Sequence, residues 1–170
     1  MHVCKPVDTP LPGGWRKEDA TSIEEVDATV YRQLVGLLMY LVNTQPDICY
    51  AVNQLSQAMV KPTKLFWKVS KHVLRYLRGT SGYGLWYRQE DEVKLCGFTD
   101  ADWVGSPTDA DIRYHHIRDC VQRRIMLLSY IPTEDQDADI LTKVLTRRKF
   151  EYHRGRIGVA DNPYLIEREC

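Results

Sequence analysis

The chain has few cysteines and no long apolar run among its 170 residues. Its five cysteines are odd in number and all lie more than twenty positions apart, so there is no CxxC pair to form a zinc ribbon or knuckle. The longest apolar run, residues 34–42, is far shorter than the ~20 residues of a membrane helix. No signal-peptide stretch, phosphate-binding glycine loop or nucleophile-elbow motif occurs. These absences predict a cytoplasmic or nuclear protein without a membrane partner, in which Cys49 and Cys96 are core thiols.

Acidic residues are missing from one long stretch, although the chain has 23 basic and 23 acidic side chains overall. Residues 48–89 carry seven basic groups and no acid, whereas residues 90–111 carry seven acids and one lysine. The neutral total is therefore a sum of opposed blocks. Such asymmetry suggests a role with nucleic acid or metal, in a chain whose 44% apolar content is typical of a globular protein.

Three helices are predicted in the first half of the chain, after a Pro/Gly-rich segment over residues 1–26 that is predicted to be a tether. Apolar residues recur at helical spacing over 28–42, where Asp27 or Thr29 would cap the start. A second helix is expected to begin at Pro46. A third follows Thr63 and ends at Gly79.

The third helix carries a stripe of five cations on the side opposite its apolar residues. They step by four, three, four and three positions: Lys64, Lys68, Lys71, Arg75 and Arg78. One interpretation is a solvated outer face, which amphipathic helices commonly have. The other is a surface that follows a nucleic-acid backbone, favoured because ordinary surface helices mix both charge signs. Trp67 is a candidate for stacking on bases, whereas Tyr76 is expected in the core.

The second half is predicted to be mixed in secondary structure. Alternating residues over 83–89 and 93–99 indicate a β-hairpin, and residues 112–122 a short helix. Residues 125–131 are predicted to form a strand. A capping box, Thr133 with Gln136, predicts a last helix that runs to about Arg148.

Two carboxylates, Asp100 and Asp102, follow a predicted strand and are candidate ligands for Mg²⁺. A two-metal nuclease needs several converging carboxylates, and the candidate partners are Asp109, Asp111, Asp137 and Asp139. The alternative for the Asp100–Asp102 pair is a turn or helix cap. The histidine pair at 115 and 116 is a poor chelate, because adjacent helical side chains point about 100° apart.

Several collinear motifs in this chain resemble the Pol polyproteins of copia-type LTR retrotransposons, plant elements in particular. They are CKPVDTPL at 4–11, YRQLVGLLMYL at 31–41, QPDICYAV at 45–52, VLRYLRGT at 73–80, GFTDADW at 97–103, DIRYHHIR at 111–118 and TEDQDADILTK at 133–143.

The resemblance implies an α+β fold, with a helical thumb/connection-like segment followed by an incomplete RNase H-like α/β remnant. It implies four regions: a tether after the polymerase palm (1–26), a reverse transcriptase thumb and connection (27–92), a truncated RNase H (93–150) and a C-terminal tail (151–170). The basic helix would lie where the family grips the primer–template duplex. Asp100 and Asp139 would match the first and last carboxylates of the nuclease. Together with Asp102 they are the weakly indicated metal ligands of this chain.

The chain departs from the family pattern at both catalytic centres. The Tyr-Val-Asp-Asp-type polymerase motif is absent, and the segments that carry the middle RNase H carboxylates have no counterpart, with a deletion junction near 109–110. Asp100 and Asp139 alone give two charges for two dications, so the Mg²⁺ of the ancestral nuclease is not expected here.

The resulting hypothesis is a degenerate Pol fragment that is not an active enzyme and keeps residual binding to an RNA–DNA hybrid or duplex. The alternative is a protein-interaction or decoy module that pairs with intact Pol.

Overall fold

The computed structural model describes residues 4–16, 24–85, 96–98, 115 and 117–161. The chain divides into two compact units, one of residues 1–93 with 139–170 and the other of residues 94–138. The described residues combine helices with one small two-stranded sheet, which confirms the α+β class. None of the described helices is both long enough and apolar enough to cross a membrane.

Helix α1 (Ala28–Leu41) begins where the sequence predicts, and Asp27 is its N-cap. The Asp27 Oδ1 atom accepts hydrogen bonds from the backbone N–H groups of Thr29, at 2.7 Å, and Val30, at 3.3 Å. Its buried residues are spaced by four and three, as a helix with one core-facing side requires. They are Tyr31, Val35 and Leu38.

Helices α2 (Cys49–Ser56) and α3 (Lys64–Gly79) complete the predicted helical half. A 3₁₀ turn over Pro46–Ile48 leads into α2. The core-facing residues of α3 follow the spacing three, four, three: Phe66, Val69, Val73 and Tyr76. The Tyr31 hydroxyl donates a 2.9 Å hydrogen bond to the Leu55 carbonyl, which ties α1 to α2 inside the core.

Residues 4–16, the N-terminal strap, pack on this helical core and do not behave as a free tether. Leu11 is 4% exposed and belongs to the core cluster. The Trp15 ring lies edge-on to Phe66 with centroids 5.8 Å apart, and the Thr9 carbonyl lies 3.1 Å from the His72 Nε2 atom. The prolines predict an irregular backbone, but an irregular segment can still bury apolar side chains against a neighbouring helix.

The C-terminal segment returns to the same unit, so residues 151–161 are more than a tail. Helices α5 (Asp139–Thr142) and α6 (Arg147–Arg156) contribute Ile140 and Phe150 to the core. Strand β2 (Val159–Asp161) pairs antiparallel with β1 (Tyr83–Leu85), with Gly84 opposite Ala160. Gly158, with φ of 83°, makes the turn into β2 in a conformation that favours glycine.

The predicted continuous helix from Thr133 to Arg148 is wrong. A 3₁₀ turn covers Thr133–Asp135, and the chain breaks again between α5 and α6. On one straight helix, Ile140 and Phe150 would point about 80° apart, because ten residues turn the helix by about 1000°. The break allows both side chains to reach the core.

In the unit of residues 94–138, helix α4 (117–122) confirms the described part of the helix predicted over 112–122. The strand predicted over 125–131 is absent, and Leu127 and Tyr130 are 92% and 89% exposed. A strand needs a pairing partner, and the described residues of this unit supply none. Cys96 is exposed, which contradicts the predicted core thiol, whereas Cys49 is half-buried. The second strand of the predicted hairpin lies mostly outside the described residues.

Candidate nucleic-acid interface

The five cations of α3 form a straight exposed row, here called the cation ridge. All five side chains are exposed: Lys64, Lys68, Lys71, Arg75 and Arg78. At 100° and 1.5 Å per residue they cover an arc of about 80° and a length of about 21 Å. Helix α3 contains no acidic residue, so its solvent side presents positive charge from end to end.

Contacts to neighbouring segments hold several members of the ridge in place. Lys64 forms an ion pair with Glu24. Arg78 donates a hydrogen bond to the Cys4 carbonyl of the N-terminal strap. Lys68 has no ion pair among the described residues. Other segments of the chain therefore hold the two ends of the ridge.

His72 lies beside the ridge and does not add to its charge. Arg75 Nη2 is 3.0 Å from the ring Nδ1, so Nδ1 accepts and Nε2 carries the proton that points to the Thr9 carbonyl. Burial lowers the pKa of His72, and the nearby Arg75 charge lowers it further, against the opposing hydrogen bond to Thr9. At neutral pH the His72 ring is uncharged, and its Nδ1 atom orients Arg75 by accepting a hydrogen bond from it.

An apolar groove runs along the α1 side of the ridge. The groove, here called the Trp67 groove, has a volume of about 770 Å³. Leu34, Trp67, Leu74 and Cys4 line it together with four ridge cations, Lys68, Lys71, Arg75 and Arg78. The Trp67 ring lies 6.5 Å from Tyr31 at an interplanar angle of 49°, and the Lys71 ammonium lies 5.3 Å from its centroid. The groove thus places an aromatic ring directly beside cations.

A second groove runs along the other side of the ridge, against the N-terminal strap. Pro12, Trp15, Leu65 and His72 line it with Lys68 and Arg75.

Sequence reasoning identified the ridge and Trp67 but missed Leu34 and Leu74, which line the Trp67 groove. A helical projection of α3 contains the signal for Leu74, since it follows Lys71 by three residues and precedes Arg78 by four. Leu34 could not be found that way, because it comes from another helix.

A buried polar cluster lies behind the ridge, where Asp47, Tyr76 and Arg154 meet. The Tyr76 hydroxyl donates to Asp47 Oδ2 and accepts a 3.1 Å hydrogen bond from Arg154 Nη1. Asp47 and Tyr76 are 1% and 0% exposed. Burial raises the pKa of Asp47, while the Tyr76 hydrogen bond and the Arg154 charge oppose that rise. The cluster connects three elements: the 3₁₀ turn that precedes α2, helix α3 and helix α6. It therefore fixes the buried side of α3, opposite the cation ridge.

The predicted metal ligands do not form a centre among the described residues. Asp139 is buried at the start of α5, and its Oδ1 lies 3.2 Å from the Lys143 ammonium. Asp137 is also buried. Asp100, Asp102, Asp109 and Asp111 lie outside the described residues, as does His116. No group of three or more His, Cys, Asp or Glu suited to a metal occurs within the described part of the chain. The metal site predicted at Asp100, Asp102 and Asp139 stays a prediction, because two of its three ligands lie outside the described residues.

Comparison with known proteins finds transposon Pol polyproteins. The chain is 41% identical over 109 residues to the retrovirus-related Pol polyprotein of transposon RE2 from Arabidopsis thaliana. The aligned region covers 64% of this chain and 8% of that protein. The chain is 40% identical to the Pol polyprotein of transposon RE1 from the same plant, in an alignment that covers 64% of this chain and 7% of that protein. The chain is 28% identical to the Pol polyprotein of transposon TNT 1-94 from Nicotiana tabacum, in an alignment that covers 95% of this chain and 19% of that protein.

The chain therefore spans less than a tenth of the RE2 and RE1 polyproteins. No family model and no solved structure matches it. The match to TNT 1-94 extends over nearly the whole chain, as did the collinear motifs. The resemblance is confirmed: the chain is related to the retrovirus-related Pol polyproteins of transposons.

Proposed function

We propose that this chain is a degenerate segment of a copia-type Pol polyprotein that has lost catalysis and binds nucleic acid through the cation ridge. Its thumb/connection-like helices would derive from the reverse transcriptase, and residues 93–150 from an RNase H with an internal deletion. The observation that carries the proposal is the ridge itself, five exposed cations in a row on a helix without an acid. Its expected ligand is an RNA–DNA hybrid or other nucleic acid in the cytoplasm or nucleus.

The size of the electrostatic effect follows from the number of cations. Each phosphate that a cation neutralises releases condensed counterions, which makes the affinity fall as salt rises. Five contacts give a slope of log K against log salt of about −4.5 for a duplex and about −3.5 for a single strand. Four contacts, with Lys64 kept in its ion pair with Glu24, give about −3.6 and about −2.8. A solvated helix face without a ligand role would show no such slope.

Two observations support the loss of catalysis. The alignment with TNT 1-94 extends over 255 residues, whereas 95% of this 170-residue chain is about 161 residues. An alignment of that length sets about 94 positions opposite gaps in this chain, as a large internal deletion would. Asp139, the candidate last nuclease carboxylate, is paired with Lys143, which reduces its capacity to bind a dication.

A labelled RNA–DNA hybrid tests both halves of the proposal. We expect fluorescence anisotropy to show binding that weakens steeply between 50 and 200 mM salt, and no cleavage when Mg²⁺ or Mn²⁺ is added. The variant Lys68→Glu with Lys71→Glu should lose most of the binding. Arg32→Glu with Lys149→Glu is the matched control, because it makes the same change of net charge at two exposed cations outside α3.

Binding that ignores salt, or that survives the Lys68→Glu and Lys71→Glu exchange, would contradict a role for the ridge. Cleavage of the hybrid that disappears in Asp100→Asn would contradict the loss of catalysis.

A second candidate function is a protein-interaction or decoy module that pairs with Pol-derived protein. The observation that favours it is the outer side of α1, where Leu37 and Tyr40 are 71% and 79% exposed. Exposed apolar side chains on one helix are typical of a surface that a partner covers. Capture of an intact Pol segment by the wild-type chain and not by Leu37→Lys would support it, and a monomer that captures none would count against it.

A further inference from the structure

We propose that the ligand of the cation ridge is single-stranded nucleic acid, with an unpaired base held against Trp67 in the Trp67 groove. The inference rests on the proposed function and names the ligand class of the same site. It is carried by the juxtaposition of an apolar aromatic floor with a row of cations along one rim of the groove.

The two sides of the groove differ in chemistry. Leu34, Trp67 and Leu74 give an apolar floor, whereas Lys68, Arg75 and Arg78 stand on the ridge beside it. A double helix turns its phosphates outward and keeps its bases stacked inside, so it would engage the ridge and leave the apolar floor unused. A single strand offers phosphates on one edge and aromatic bases on the other, and it can satisfy both surfaces at once.

The length and straightness of the ridge favour the same ligand. Its cations follow one another every 4.5 to 6 Å, by the rise of about 1.5 Å per residue, over about 21 Å. A backbone strand of a duplex winds around its axis and leaves a straight row of cations after a few phosphates. An extended single strand can follow the whole row without curving away from the groove.

Lys71 connects the phosphate contact on the ridge with the base contact at Trp67. In the free protein its ammonium lies 5.3 Å from the centre of the Trp67 ring, where the ring's quadrupole attracts a cation. A phosphate on the ridge would draw this ammonium away, because opposite full charges attract more strongly than a cation and a ring. The ring face beside the groove would then be open to a base, so phosphate binding and base stacking favour each other.

The test compares three ligands of equal length on the wild-type chain at one salt concentration. They are a 12-nucleotide thymidine strand, an abasic deoxyribose-phosphate strand of 12 units, and a 12-base-pair duplex. The thymidine and abasic strands share their phosphates, so a difference between them reports the base. We expect the thymidine strand to bind about tenfold more tightly than the abasic strand, within the range for one stacked base, and more tightly than the duplex.

The variant Trp67→Leu should reduce binding of the thymidine strand to the level of the abasic strand and leave the abasic strand unchanged. Tyr40→Leu is the matched control, because it also replaces an aromatic residue by leucine but at a side chain that is 79% exposed on α1. Should Trp67→Leu fail to fold, the comparison of ligands on the wild-type chain decides alone.

Equal affinities for the three nucleic-acid ligands, with a normal salt slope, would overturn this inference and leave the proposed function standing. A 12-residue polyglutamate serves as a polyanion without bases. If it binds as tightly as the thymidine strand, the inference is also overturned, since the groove would then accept any polyanion. Absence of binding to every nucleic acid would overturn the proposed function as well.

Discussion

Among single residues, Asp47 has the least obvious role in the sequence and one of the most constrained positions in the structure. In sequence it resembles a favourable acid at a helix start. In the structure its side chain is 1% exposed and accepts a hydrogen bond from the Tyr76 hydroxyl. No local pattern predicts this, because Tyr76 and Arg154 reach Asp47 from helices that are distant in sequence.

Replacing Tyr76 by phenylalanine removes a donor from this buried carboxyl, which should lower the free energy of unfolding by about 1–3 kcal/mol. Burial already raises the pKa of Asp47, and loss of the Tyr76 hydrogen bond would raise it further. A raised pKa means that the folded state loses stability as pH rises above the unfolded value near 4. The deficit should therefore be larger at pH 7 than at pH 4.

Urea denaturation at the two pH values measures this deficit. Tyr40→Phe is the control, since the Tyr40 side chain is 79% exposed and should tolerate the same change at both pH values. Equal urea midpoints for wild type and Tyr76→Phe at pH 7 would show that the cluster contributes nothing to stability.

At the scale of elements, the N-terminal strap shows how a segment without regular structure becomes part of a core. Leu11 lies in the same buried cluster as Phe66 and Phe150. The strap also supplies the Asp8 carboxylate, whose Oδ2 lies 2.8 Å from Arg147 of α6. It therefore packs against elements from both the middle and the end of the chain.

We predict that Leu11→Ala lowers the free energy of unfolding by about 2–4 kcal/mol, the usual range for a leucine removed from a core. Leu37→Ala makes the same chemical change at a side chain that is 71% exposed on α1 and should have little effect. Thermal unfolding followed by circular dichroism compares the two. A Leu11→Ala variant as stable as Leu37→Ala would mean that the strap is a tether in solution.

The elements that the sequence predicted well are those that local physics determines. Helices α1 and α3 follow from apolar spacing near 3.6 residues, the Asp27 cap and the stop at Gly79. The cation ridge was predicted from the same helical spacing. Strand β2 and the break before α6 could not be predicted, because both depend on contacts with residues far away in sequence. The strand predicted over 125–131 failed for a related reason, since β-propensity alone does not supply a partner.

At the scale of the whole molecule, a net charge of zero conceals a charge distribution that is uneven along the chain. The ridge is positive, and three cations of α6 have partners within the protein: Arg147 pairs with Asp8 and Glu151, Arg154 lies 4.6 Å from the Tyr83 ring, and Arg156 lies 5.6 Å from the Tyr152 ring. Long-range attraction of a polyanion depends on such local fields more than on the net charge. The charge balance of the chain is therefore compatible with salt-dependent binding at one face.

The pairing of β1 with β2 has a consequence for the tolerance of this fold to changes of length. Leu85 and Val159 are partners, and Ile140 already lies in the core, so the 53 residues between Leu85 and Asp139 join two points that the core holds. The entropy of closing such a connection grows only with the logarithm of its length. For a flexible connection of this length, adding about 94 residues would raise the closure cost by only about 0.9 kcal/mol. Evolution could therefore shorten or lengthen this connection at little thermodynamic cost to the helices that carry the ridge.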